Sequence, residues 1–450
     1  EFEPLKHNGV ALGSAAAFDR ALDAAVALTK FHRLPCGEPL HQAVAEPRRY
    51  PLATWLSHRR KGAWDVLIVD ECHEFSAGDS AQSHAKARLE GGPAFRLLLT
   101  GSFTNGYADS AFNNIASVSP RFRAEFGRDG RGRFVDRFGY WKRVVQDKDR
   151  EGSVVAFGSQ SDRVERTARI SGMAPGVLPL FTLQWLLPHA VTLHKTDLHL
   201  DLPAPETSVD AVEAEGVLKS NYTFLLSALL DEIRRTRFDK DGKAGKLWGA
   251  LAHLPAYLDL ACCGNYEIRW PKEVPDVGGQ VIVSVPGMDP STTLPKEAWM
   301  LDRVRAELDA GRNTMVVSWH RPVQERLLGI LHREGIEAIH LDAASVPTQK
   351  RQAWIDRHVV KPGCPVMVVN PMAVQTGLNN LVHFKTQLWM ENPACNPHIY
   401  RQAQGRIDRI GQTVTPRFVF PIYEDTAQEQ LHKLLLHKVG VALGVDGLDP

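Results

Sequence analysis

Blocks of apolar and polar positions alternate most regularly over the last third of the chain. Residues 298–308, AWMLDRVRAEL, bring Leu301, Val304 and Leu308 onto one helical face, and TMVVSW at 314–319 is a short, largely apolar run. PVQERLLGILHREG at 322–335 is helical again and closes on Gly335, a residue suited to a helix C-cap. The rhythm continues through a strand at 336–342, a helix at 348–359 and strands at 365–371, 386–391 and 417–423, with a helix expected over 398–411. Short apolar runs separated by helical segments predict an open, mostly parallel sheet.

The first third carries a second, shorter version of this pattern. AAAFDRALDAAVALTKF at 15–31 has helical spacing, and the strand VLIVD at 66–70 and the apolar run FRLLLTGS at 95–102 are joined by a segment long enough for a helical crossover. Between about residue 116 and residue 295 the rhythm loosens. SNYTFLLSALLDEIRRTRF at 220–238 reads as an amphipathic helix and DKDGKAGK at 239–246 as a polar turn. The expectation is an α/β protein in three parts: 1–115, a mainly helical insertion and linker at 116–295, and a second α/β region at 296–450.

Composition narrows the function. A net charge of +1 announces no global affinity for nucleic acid, so any such surface must be a local patch. The six cysteines form no C-x-x-C pair, which argues against zinc and, at this length, against a disulfide framework. No apolar run approaches the ~18 residues of a membrane span, and EFEPLKHNGV carries no basic-then-apolar leader. An intracellular protein is expected, cytoplasmic if it comes from a bacterium or phage, with no membrane partner.

Four stretches carry candidate chemistry. VLIVDECHEF at 66–75 runs four apolar residues into Asp70, Glu71, Cys72 and His73. A strand that delivers paired acids to a sheet's carboxyl edge suits phosphoryl transfer, one carboxylate holding Mg²⁺ and a neighbour acting on the attacking water. TGSFTNGYADSAFNN at 100–114 ends a strand on Thr100, Gly101 and Ser102. YRQAQGRIDRIGQ at 400–412 spaces Gln402, Arg406 and Arg409 so that a helix would set them on one face, and arginine suits charge growing on a transferring phosphoryl group. VVNPMAVQTGLNN at 368–380 leads a strand into a loop with Thr376, Gly377 and Asn379, small polar residues able to hold a phosphate. The basic and aromatic run at 126–143 has two open readings, a nucleic-acid contact or a half-buried amphipathic element.

Their order is more telling than any one of them. DECH, LLLTGSFTNG, MVVSWHR, IHLDAASVPTQKRQAWIDR, TGLNN and RQAQGRIDRIGQ follow one another as motifs II to VI do in superfamily-two helicases, and the chain most resembles their Swi/Snf-like DNA translocase branch. The resemblance is dense at 64–115 and 296–425 and thin between, with Ser102-Phe103 and Asp342-Ala343 departing from the usual Thr-Pro and Asp-Gly. It implies two RecA-like lobes with parallel sheets, ATP and Mg²⁺ as cofactors, and DNA, most readily double-stranded, as partner. It assigns Asp70 to Mg²⁺, Glu71 to the attacking water, and Arg406 and Arg409 to the arginine fingers. It places His73, Thr100, Gly101, Gln402 and Gly377 at the nucleotide, and Ser318, Thr376 and Asn379 at the nucleic acid.

A nucleotide held at such a site needs a phosphate cradle of the form G-x-x-x-x-G-K-[ST]. Gly-Lys occurs only at 242–243 and 245–246, followed by Ala244 and Leu247 and lying downstream of the acid box. Either the chain is a fragment whose first lobe is incomplete at its N-terminus, or the site is degenerate. The intact arginine pair and the missing initial Met favour the fragment, which should leave a sheet edge or apolar face of that lobe uncovered and be inactive alone. Two rivals remain at this stage: a non-catalytic nucleic-acid-binding scaffold derived from such a motor, and a strand-separating helicase.

Overall fold

The computed structural model describes residues 51–60, 62–77, 80–127, 129–146, 153–158, 168–193, 197, 200, 202–236, 247–274, 276–374, 378–391 and 395–447, with two-residue strands at 2–3, 6–7, 10–11 and 42–43. The helix expected over 15–31, the polar turn at 239–246, Thr376 and Gly377 lie outside the described residues. The chain divides into two compact units, residues 1–69 with 77–97, and residues 70–76 with 98–450.

In the first unit, helix α1 (Leu52–Arg59) precedes strand β1 (Val66–Val69), and helix α2 (Ala81–Leu89) leads to strand β2 (Phe95–Leu98). The two strands pair, and the Phe95 amide donates to the Asp65 carbonyl at 2.9 Å. Ser80 caps α2 by accepting from the Ser83 amide. Alternate residues Val66, Ile68, Phe95 and Leu97 are 51, 58, 70 and 49% exposed. One face of this small sheet is thus an uncovered apolar surface, whereas sheets of α/β proteins are ordinarily covered on both faces.

In the second unit, helices α3 (Phe112–Val118), α4 (Pro120–Phe126) and α5 (Arg131–Phe138) gather an aromatic core from Phe112, Phe122, Phe126, Phe134, Phe138 and Trp185. For its described part the basic and aromatic run is a half-buried amphipathic element. Phe126, Phe134 and Phe138 are buried, while Arg131 pairs with Asp109, Arg133 donates to the Phe126 carbonyl and Arg137 pairs with Glu125. Strands β3 (Gly139–Gln146), β4 (Ser153–Gly158) and β5 (Ala168–Val177) then form an antiparallel sheet with β3 in the middle. The middle of the chain therefore holds strands as well as helices.

Strand β6 (Glu206–Val212) is followed by the long helix α6 (Gly216–Thr236), helix α7 (Leu254–Leu260) and a hairpin of β7 (Tyr266–Arg269) and β8 (Val281–Val285). Then come helix α8 (Pro295–Asp309), β9 (Thr314–Val317), α9 (Arg321–Arg333), β10 (Ala338–Leu341), α10 (Thr348–Ile355), β11 (Val366–Val369), β12 (Thr386–Trp389), α11 (Pro397–Gln404), β13 (Arg417–Tyr423) and α12 (Ala427–Asp446).

Six of these strands form one parallel sheet in the order β6-β13-β12-β9-β11-β10. Met315, Val317, Met367, Val369 and Trp389 pack on one face, and Val316, Val366, Val368 and Leu388 on the other. Burial on both faces is why these strands read as continuous apolar runs. β6 belongs to this sheet although the sequence places it in the insertion; its seven residues pair with Arg417–Tyr423. The strand order reverses beside β9, and in open α/β sheets that point, outside the strands' carboxyl ends, is where ligands bind. Among the described residues no helix is long and apolar enough to cross a membrane.

Candidate active site

Directly after β1 the chain turns through Glu71, whose backbone lies in the left-handed region at φ 49°, ψ 47°. That conformation is uncommon and costly for a residue with a side chain, and such strain concentrates at functional positions. The Glu71 amide donates to its neighbour's carboxylate, Asp70 Oδ1, at 2.9 Å. A short 3₁₀ turn, Cys72–Phe75, follows and buries His73.

His73 is the hub of the site. Its Nδ1 lies 2.9 Å from Thr100 Oγ1, and the Thr100 hydroxyl itself donates to the Ser102 carbonyl at 2.9 Å. With that proton committed, Thr100 accepts and His73 Nδ1 donates. His73 Nε2 is then the acceptor, facing Gln402 Nε2 at 3.3 Å. The same Gln402 amide donates to Glu71 Oε2 at 3.4 Å, and Glu71 Oε2 lies 3.3 Å from His73 Nδ1. Burial lowers the His73 pKa below its ordinary value despite the carboxylates of Glu74 and Asp70, which agrees with this neutral tautomer.

Glu71 is shifted the other way. Burial raises its pKa, the charge of Asp70 raises it further, and the Arg406 guanidinium pulls it back. A carboxylate with a raised proton affinity, aimed by the Gln402 amide, is suited to general-base work.

Arg406 and Arg409 are not helical. Helix α11, capped by Asn396 Oδ1 accepting from the His398 amide, stops at Gln404, with Gly405 as its C-cap, and 405–411 form turns. The expected helix over 398–411 is corrected accordingly. The two arginines still converge, since each donates from Nη1 to the Leu378 carbonyl, at 3.4 and 3.3 Å. Burial and the neighbouring charge of Arg409 lower the Arg406 pKa, while Glu71 raises it.

The remaining assigned side chains take no part in this network, apart from Asp70 beside Glu71. Gly101 is exposed with open space around it. Ser318 is fully buried at the end of β9 and donates to the Glu391 carboxylate, which also accepts from the amides of Trp319 and His320 at 2.5 and 2.8 Å. So placed, the Ser318 side chain braces the strand end rather than presenting a surface. Asn379 is exposed, its amide donating to Gln352 Oε1 at 2.9 Å. Asp70 is an exposed carboxylate at the strand end. Among the described residues no group of three or more His, Cys, Asp or Glu is arranged to hold a metal ion. Magnesium delivered with nucleotide phosphates needs only one or two carboxylates, and Asp70 fits that requirement.

The solved C-terminal part of the Fun30 ATPase domain is similar to this chain. It matches at 18% identity and a TM-score of 0.41, over 54% of this chain and 96% of that one. No family model matches the chain.

Three features of the site escape a reading of the motifs. Glu391 gathers the end of β9, the Leu378 carbonyl gathers the arginines, and His398 lies stacked on His73 with ring centroids 4.3 Å apart and planes 17° from parallel. His398 precedes Gln402 by four residues, so the two share a helix face; that spacing was the available signal.

Proposed function

We propose that the chain supplies the hydrolytic side of an ATP-dependent nucleic-acid motor of the superfamily-two kind, with movement along double-stranded DNA as its output. The observation that carries the reading is the single hydrogen-bonded set formed by Glu71, His73, Thr100 and Gln402, with the Arg406 charge acting on Glu71. Residues far apart in sequence meet in the combination that hydrolysis of a phosphoanhydride requires: a base, groups that aim it, and cations for the developing charge.

In this reading Glu71 takes a proton from the attacking water. Gln402 holds its carboxylate in place and bridges it to His73, whose tautomer Thr100 fixes. Arg406 and Arg409 leave the Leu378 carbonyl to meet the transferring phosphoryl group. Asp70 would hold the Mg²⁺ that neutralises phosphate charge when nucleotide is bound. Leu378 and Asn379 follow Thr376 and Gly377 directly in sequence, so the arginines rest beside the segment assigned to nucleic acid and nucleotide.

These 450 residues hold no G-K-[ST], so the reading requires a phosphate cradle from another segment. This chain alone therefore does not turn over ATP. The test compares ATP hydrolysis, with and without duplex DNA, by this chain and by the protein extended through its upstream reading frame. DNA-stimulated turnover by the extended protein, abolished by Glu71→Gln, supports the motor. Turnover by the 450 residues alone refutes the divided site. DNA binding without turnover in either protein replaces the motor by a scaffold.

A further inference from the structure

We infer that His398 is a positioning residue, which fixes the arginine-bearing segment against the acid box by stacking on His73; this rests on the hydrolase reading above. His73 is gripped twice from one helix. Gln402 engages its ring edge at Nε2, and His398, one turn earlier on α11, covers its ring face at 4.3 Å. An edge contact alone leaves a ring free to tilt about the bond, and a face contact alone leaves it free to slide. Together they fix the register between α11 and the Cys72–Phe75 turn.

His398 serves this purpose through its face. It is only 8% exposed, and its buried Nδ1 has no hydrogen-bond partner among the described residues. Buried polar atoms are ordinarily satisfied, so it is not Nδ1 that sets the ring's position. Both rings are neutral: burial, then the proximity of His73 and Arg401, pushes His398 down to about 3, and burial also lowers His73. The stack therefore carries no charge repulsion near neutral pH. Helix α11 ends two residues after Gln402, so its register sets where Arg406 and Arg409 emerge.

The test uses His398→Ala, which removes the face, and His398→Phe, which keeps a ring. In the full chain labelled at histidine ring carbons, the His73 ring proton should show an upfield ring-current shift that is lost in His398→Ala and kept in His398→Phe. In the extended, hydrolysing protein, His398→Ala should lower kcat ~10- to 100-fold, the scale of a misplaced catalytic group, with KM for ATP unchanged, and His398→Phe should restore it. Normal kcat in His398→Ala, with an active wild type, overturns the inference and leaves the hydrolase reading standing. A loss of kcat that Phe does not restore overturns stacking as the means. Absence of turnover in the wild type as well removes the hydrolase reading and the inference with it.

Discussion

Replacing Lys296 by Met should destabilise the second unit by about 3–5 kcal/mol, the scale for removing one partner of a buried ion pair. Lys296 is 3% exposed; its ammonium donates to Asp259 Oδ1 at 2.8 Å, to Gln428 Oε1 at 3.3 Å and to the Met390 carbonyl. Methionine keeps the apolar stem and loses all three bonds. Asp259, 8% exposed, would retain only the Gln428 amide on Oδ2 at 2.7 Å. Burial already pushes the Asp259 carboxyl up, and the Lys296 charge is the largest influence holding it down. Without that charge the folded-state pKa rises further above the unfolded value. The variant is then least penalised in acid, where Asp259 is protonated in both states, and loses stability as pH rises through the folded pKa. The deficit against wild type should accordingly be larger at pH 8 than at pH 5. At pH 8 it corresponds to a fall in Tm of roughly 5 °C, taking ~2 cal/mol/K of unfolding entropy per residue over the residues of the second unit. Asp259→Asn added to Lys296→Met removes the orphaned charge and should recover part of the loss. Urea unfolding followed by circular dichroism at both pH values measures all of this. A Lys296→Met deficit within about 0.5 kcal/mol at pH 8, the range of an ordinary surface substitution, or one that grows in acid, would refute the argument.

In the extended protein, Arg406→Ala or Arg409→Ala should cut turnover by a factor on the order of 10³ while ATP still binds; weakened binding with normal saturated turnover would contradict the finger assignment. The His398 contribution to stability should be lost as pH drops below the ordinary histidine range, because burial holds this group at about 3 while the unfolded chain takes up the proton. For His398 alone this amounts to about 2 kcal/mol between about pH 7.5 and pH 5, and His398→Phe should flatten that part of a urea-unfolding series.

The six-stranded sheet was largely legible because burial on both faces leaves an unbroken apolar run, as in TMVV, VMVV and RFVFPIY. ETSVDAV at 206–212 was not legible as part of that sheet. It is an edge strand, mostly exposed, and its partner lies more than two hundred residues later, so no local pattern records the pairing. Phe134 and Phe138, four apart on a helix, face the core; the mixture of arginine and phenylalanine at 126–143 hid an ordinary helical periodicity. At the site, Glu71, His73, Thr100, Gln402 and the arginines were visible as residue types at strand and helix ends. His398 and the Leu378 carbonyl were not, because one acts through a distant ring and the other through a backbone atom.

What unites the visible and the hidden parts is that irregular backbone builds the site on regular supports. Along a strand, successive side chains alternate faces, so Asp70 and Glu71 continuing β1 would point apart. The left-handed turn at Glu71 breaks that alternation. Asp70 caps the turn, and its charge is felt by both Glu71 and His73. The end of α11 does the reverse. On a continued helix Arg406 and Arg409 would share a face, yet their guanidinium groups would follow the helix axis. Because the helix stops at Gln404, both reach the single Leu378 carbonyl. The shared carbonyl brings two cations together, and the neighbouring charge of Arg409 is among the causes that lower the Arg406 pKa. In the proposed reading, a nucleotide phosphate beside Glu71 would give both side chains, already drawn together, a shared anionic partner.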